Sequence, residues 1–247
     1  MNLSGAETTE DTFSGRSGSP LRSGMLRNIV HLSLGQVATT VLAVLLSAAI
    51  ARTLGASEFG LLYLVTTIAT FAYVFVDWGH AAYVTREIAR HPARAGDLIG
   101  SVMAVRGATA LIVSGPVVVT TWLLGYDLST VLLTVTLIVA WIPGYLAMSY
   151  SWVFRGVERM DYDALINVVM KFCTLALSVA VLALGGRVLS LILLSVVNGF
   201  ITLAVAVALY RRLQLPRPRM TTRAARELLY GGAPMLAMGV TVAVQPY

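Results

Sequence analysis

The feature that most constrains this chain is a series of long apolar stretches separated by short connectors, nearly all of which carry arginine. A helix needs about 20 predominantly apolar residues to cross the hydrocarbon core of a bilayer. Six stretches meet that length: 29–53, 58–76, 104–124, 128–154, 164–185 and 188–210. A seventh begins near Leu228 and reaches Tyr247. Backbone groups in lipid must be satisfied within the segment, so runs of this length specify helices. The predicted fold is therefore all-α and integral to a membrane: a six-helix transmembrane bundle plus the start of a seventh helix. Composition agrees. The chain is 57% hydrophobic and 12% charged, against about 25% charged in an ordinary soluble domain.

The connectors carry their own signals. Gly55 can end the first helix with a positive φ, and Ser57 and Glu58 suit the start of the second. Gly185 and Gly186 separate helices five and six, and Pro216 and Pro218 interrupt the longest basic loop. Pro116 and the Pro143-Gly144 pair fall inside helices three and four, where neighbouring helices can satisfy the freed carbonyls.

Net charge is +6. Because the arginines flank apolar runs, this charge reads as membrane orientation, not as affinity for nucleic acid. Arg16, Arg22 and Arg27 precede the first helix. Arg86, Arg90 and Arg94 lie between helices two and three, and Arg155 and Arg159 between four and five. Arg211, Arg212, Arg217, Arg219, Arg223 and Arg226 follow helix six. The alternate connectors hold only Arg52 and Arg187. The expected topology puts the N-terminus in the cytoplasm of a bacterial (inner) membrane. Residues 1–27 read as a disordered cytoplasmic tail, 28–210 as the lobe, 211–227 as a basic cytoplasmic linker and 228–247 as the start of helix seven.

Chemistry-bearing residues are few. Asp77, Arg106 and Lys171 are the ionisable groups in or beside the spans, and intramembrane charge is costly and usually functional. Asp77 and Arg106 sit where snorkelling to the inner surface would account for them. Lys171 lies about two turns into helix five, on the order of 10 Å from its inner end. It is expected to face a water-filled cavity, to snorkel or to pair with Asp77. Asn167 and Asn198 are expected to make interhelical hydrogen bonds. The Asp161-Tyr162-Asp163 triplet could imitate a metal-binding Asp-x-Asp, but acids at a helix start complement its dipole, and that is the expected role. No phosphate loop, nucleophile elbow or zinc pair is present in the sequence. The expectation is a protein that is not an enzyme and uses no metal or cofactor.

Three motifs occur in order: Ile50-Ala51-Arg52-Thr53-Leu54-Gly55-Ala56-Ser57-Glu58-Phe59-Gly60; Asp77-Trp78-Gly79 followed by Thr85-Arg86-Glu87-Ile88-Ala89-Arg90; and Phe154-Arg155-Gly156-Val157-Glu158-Arg159. Together they resemble the polysaccharide (oligosaccharide) flippase family of the multidrug/oligosaccharidyl-lipid/polysaccharide exporter superfamily. The resemblance implies two six-helix lobes around a central cavity, of which this chain looks like the N-terminal one. It implies movement of an undecaprenyl-pyrophosphate-linked oligosaccharide from inner to outer leaflet. Lys171, Arg106 and Arg52 are then the candidate cationic cavity residues, with Asp77 a candidate for ion pairing or coupling. The implied partners are the lipid-linked glycan, membrane lipids, and the polymerase and glycosyltransferases of the same pathway. A drug/cation antiporter of the same superfamily and a non-transporting scaffold for glycan assembly are the alternatives. A chain of one lobe reads as a truncated product or fragment, expected not to flip a glycan alone.

Overall fold

The computed structural model describes residues 20–77 and 79–231. The outlying parts of the predicted tail and of helix seven, 1–19 and 232–247, lie outside the described residues. Among the described residues there is no strand. The main elements are α1 (Pro20–Asp77), α2 (His80–Arg90), a short 3-10 turn (Pro92–Arg94), α3 (Ala95–Leu123), α4 (Leu128–Gly156), α5 (Met160–Ala183) and α6 (Val188–Arg212). Helix resumes at 222–231.

Gly55 divides α1 into two limbs, with φ 74° and ψ 175°, a backbone region open essentially to glycine alone. The limbs, 20–54 and 56–77, correspond to predicted helices one and two. Residues 20–27, assigned to the tail by the sequence reading, are instead the start of α1, where Pro20 occupies a position that needs no N–H. Five helical stretches among the described residues are long and apolar enough to cross a membrane, the first of them containing the Gly55 break.

α2 is the element that apolar run length does not reveal. Gly79 takes the left-handed region, φ 68°, and turns the chain out of α1. His80, Val84 and Ile88 then recur at helical spacing and are buried, giving a short amphipathic helix that lies across the end of α4. Thr85 Oγ1 donates to Trp152 O at 3.2 Å. A Cβ on Gly156 would stand 3.0 Å from the Ile88 side chain, so glycine permits this approach.

α3 starts nine residues before the predicted boundary. Its first two turns contain Gly96, Asp97 and Gly100, a composition that imitates a loop. The glycines are there because the strap following α6 crosses them: Arg219 N donates to Gly96 O at 2.9 Å, and Ser101 Oγ lies 3.1 Å from both the O and the N of Thr221. The predicted linker is therefore packed on the helix ends. Arg94 pairs with Glu87, and its other amino group pairs with Glu227 at 2.5 Å, tying the middle of the final helical segment to the start of α3.

α4 packs along α6, and α1 along α5. Lipid supplies no hydrophobic drive between helices, so close approach of small residues matters most. Gly199 of α6 meets the predicted Pro143-Gly144 site: a Cβ there would lie 2.7 Å from Gly144 N. α4 runs through Pro143, and α3 through Pro116.

Candidate functional site

The second limb of α1 ends on Asp77, at the arginine-rich end of the bundle. Arg106 of α3 reaches it and forms an ion pair. The guanidinium is 2% exposed and the carboxylate 43%. Arg106 Nη1 also donates to Tyr145 O at 2.5 Å and to Ser149 Oγ at 2.5 Å. Its guanidinium carbon lies 4.6 Å from the Trp152 ring centroid and 5.2 Å from that of Tyr145. A planar cation between two aromatic faces, with both terminal amino groups engaged and only Nε–H left without a partner among the described residues, is an environment in which arginine is tolerated away from water.

This corrects the snorkelling expectation for Arg106. The residue sits about 16 Å along α3 from Ala95 and is clamped between Asp77 of α1 and the Tyr145, Ser149 and Trp152 face of α4. The sequence reading missed the clamp. Tyr145, Ser149 and Trp152 fall at i, i+4 and i+7, one face of α4, and that spacing is the signal that could have revealed it. Asp77 takes Arg106 as its ion-pair partner, not Lys171.

Asp77 and Arg106 form one edge of an open cavity of about 620 Å³. Both limbs of α1 line it, together with α4, α5 and α6. Lys171 lines the same cavity. Because α5 begins at Met160, Lys171 lies about 16 Å along its helix, deeper than the sequence boundary suggests. Its side chain makes no hydrogen bond or ion pair with any described residue. Asn198 faces the cavity too and donates to Thr174 Oγ1 at 2.8 Å, the interhelical bond expected of it. Asn167 differs: it bonds within its own helix, to Asp163 O at 2.9 Å. Trp141 and Tyr145 line the cavity, and both rings pack on that of buried Tyr73.

Arg52 stands exposed beside the Gly55 break and does not line the cavity. At the same end of the bundle Arg187 Nε donates to Glu58 Oε1 at 2.6 Å. The Asp161-Tyr162-Asp163 triplet turns inward upon arginine. Arg155 Nε holds buried Asp163 at 2.7 Å, and Arg159 holds Asp161 at 2.8 Å while lying 3.8 Å over the Tyr162 ring. The triplet thus fastens the α4–α5 turn. Among the described residues no cluster of His, Cys, Asp or Glu could hold a metal ion.

The fold has solved counterparts. A MOP superfamily transporter from Pyrococcus furiosus, whose binding pocket is described as having reverse polarity, matches with TM-score 0.66 and 14% identity over 90% of this chain and 53% of that one. A multidrug resistance MATE family transporter of the same superfamily, in an outward-facing conformation, matches with TM-score 0.59 and 16% identity over 90% and 53%. The chain spans about half the length of these transporters. No curated protein sequence matches it. The model of the family described as "Polysaccharide biosynthesis protein" matches residues 25–245, the stretch that carries all three motifs. The bundle with its cavity is thus a multi-pass membrane lobe of MOP superfamily fold, and the chain belongs to the polysaccharide biosynthesis protein family.

Proposed function

We propose that this lobe forms one wall of an export path for an undecaprenyl-pyrophosphate-linked oligosaccharide, moved from the inner to the outer leaflet. The observation that carries the reading is Lys171: a cation without a protein partner among the described residues, on the wall of a 620 Å³ cavity inside the bundle. A cation in that position must find water or an anion. A pyrophosphate moving through hydrocarbon needs hydration and countercharge. Lys171 supplies the countercharge, and Asn198, Thr174 and Ser178 supply hydrogen-bonding groups for a hydroxyl-rich head. Arg106 is already engaged and serves as the fixed edge of the cavity. Asp77, half open to it, is the group positioned to respond to a passing cation or proton. Arg52 has no place in this path.

Complementation tests the proposal. In a complete transporter that carries this lobe, Lys171→Ala should reduce surface glycan about tenfold and trap lipid-linked sugar on the inner leaflet. Lys171→Arg should retain most export. Equal activity of Lys171→Ala and the parent, at matched protein levels, would remove the anion-anchor role. A change in drug sensitivity with normal glycan export would favour a drug antiporter.

A further inference from the structure

The arginine-rich end carries a second recess that shares no lining residue with the central cavity. Its volume is about 720 Å³. Tyr150 of α4 and Tyr210 of α6 form its floor, Val207 and Leu215 an apolar side, and Arg211 and Arg217 its rim.

The shape is held by bonds internal to the protein. The two tyrosine rings meet edge to face at 5.3 Å. Tyr210 donates its hydroxyl to Pro216 O at 2.5 Å, and Tyr150 approaches Met103 Sδ at 3.6 Å. The tyrosine hydroxyls therefore fix the floor and the strap. Because Arg219 N is bonded to Gly96 O, the backbone beside Arg217 is anchored as well. The rim cations are a different matter. Both are exposed, and no carboxylate among the described residues pairs with either. Of the acids of this end, Glu87 is held by Arg94, Glu227 by Arg94 and Arg223, and Asp163 by Arg155, while Asp97 and Glu158 form no ion pair with either rim arginine.

Two unneutralised guanidiniums on the rim of a preformed recess call for an oxyanion with bidentate geometry. The location narrows its source. Arg211 is in the last turn of membrane helix α6, the level at which lipid phosphates lie. The apolar side of the recess gives a free phosphate nothing to use, but it suits the methylenes that adjoin a lipid phosphate. We propose that this recess binds the phosphodiester headgroup of an anionic glycerophospholipid, with Arg211 and Arg217 on the phosphate and Val207 and Leu215 against the start of its acyl chains.

The test is lipid retention by the full chain, purified in detergent and measured by native mass spectrometry with phosphatidylglycerol, phosphatidylcholine and inorganic phosphate as probes. Phosphatidylglycerol should bind in preference to phosphatidylcholine. Each arginine removed should cost about fivefold, the usual contribution of one basic residue at an anionic surface. Arg211→Gln with Arg217→Gln should bring the two lipids level, whereas Arg211→Lys with Arg217→Lys should keep most of the preference. Millimolar inorganic phosphate should not displace the lipid. The proposal is overturned if the Gln pair keeps the preference in a folded protein, or if inorganic phosphate competes fully. It is also overturned if a polyprenyl pyrophosphate occupies the recess ahead of phosphatidylglycerol, since the recess would then load substrate.

Discussion

Arg106 and Asp77 show how a single charge is kept in a membrane lobe. Removing one partner of a buried pair costs about 3–5 kcal/mol, because the other is left uncompensated. Asp77→Ala leaves the buried Arg106 guanidinium without its countercharge, so it should cost about 3 kcal/mol or more. Arg106→Met leaves the more hydrated partner behind and should cost no more. The double variant should cost clearly less than the two added together, as residues in one network do. Thermal unfolding of the four proteins in lipid nanodiscs measures this; strictly additive losses would show that the pair contributes no coupling. The site was partly legible. A costly charge in an apolar run was reason enough to single out Lys171, Arg106 and Asp77, and the structure places all three around one cavity. Which charge pairs with which was not legible, because it depends on how far α3 overhangs and on a clamp contributed by α4. Arg52 was singled out on charge alone, and charge near a helix end does not say which way the side chain faces.

At the scale of elements, the helices that cross the bilayer were legible because hydrocarbon thickness sets their length. Their ends at the arginine-rich side were not. There, protein packs on protein, and the glycines at 96 and 100 that read as loop are the floor on which the strap rests. Glycine has a similar meaning in the middle of the bundle. Gly199→Ala drives a methyl against Gly144 and Pro143 and should cost roughly 1–3 kcal/mol through overpacking. Gly115→Ala, where nothing lies within 4 Å of the new Cβ, should be neutral or slightly stabilising. Equal unfolding temperatures for the two variants would count against the α4–α6 contact. The strap adds a pH dependence. Hydrogen bonds from Arg94 and then Arg223 hold the Glu227 carboxyl below its ordinary value. A depressed pKa contributes stability that is complete above the unfolded value, about 4.3, and is lost as pH falls through the folded one. A probe at Met220→Cys, with Cys173 replaced by Ser, should report a docked strap from pH 8 to about 5 and release only below that. Glu227→Gln should loosen the strap throughout and remove the acid step. Release already between pH 7 and 5 would assign the docking to a group other than Glu227.

For the whole molecule, orientation in the membrane is the property that everything else depends on. α3 leaves the arginine-rich end, α4 returns to it, α5 leaves and α6 returns, so Arg90 and Arg217 share one end while Tyr126 and Gly186 share the other. Two ion pairs confirm the alignment, Arg94 to Glu227 at the first end and Arg187 to Glu58 at the second. The distribution of arginine between the ends is uneven in sequence, and folding sharpens it. At the sparse end Arg187 is matched by Glu58. At the rich end Arg86, Arg90, Arg211, Arg212, Arg217 and Arg219 make no ion pair among the described residues, even though Arg94, Arg155, Arg159 and Arg223 do. Orientation follows the count of Lys and Arg close to the spans, with acids contributing little, so pairing does not weaken the bias. The rich end should therefore face the cytoplasm, which is also the side from which a lipid-linked precursor would enter the path proposed for Lys171. Reporter fusions after Arg90 and Arg217 should read as cytoplasmic, and fusions after Tyr126 and Gly186 as external. Because the strap at Arg217 packs against Gly96, a fusion there should also lower protein yield relative to one after Arg90. Reversed readings at two or more sites would invert the lobe, place the lipid recess in the outer leaflet and leave Lys171 approached from the wrong side for an inward-to-outward flip.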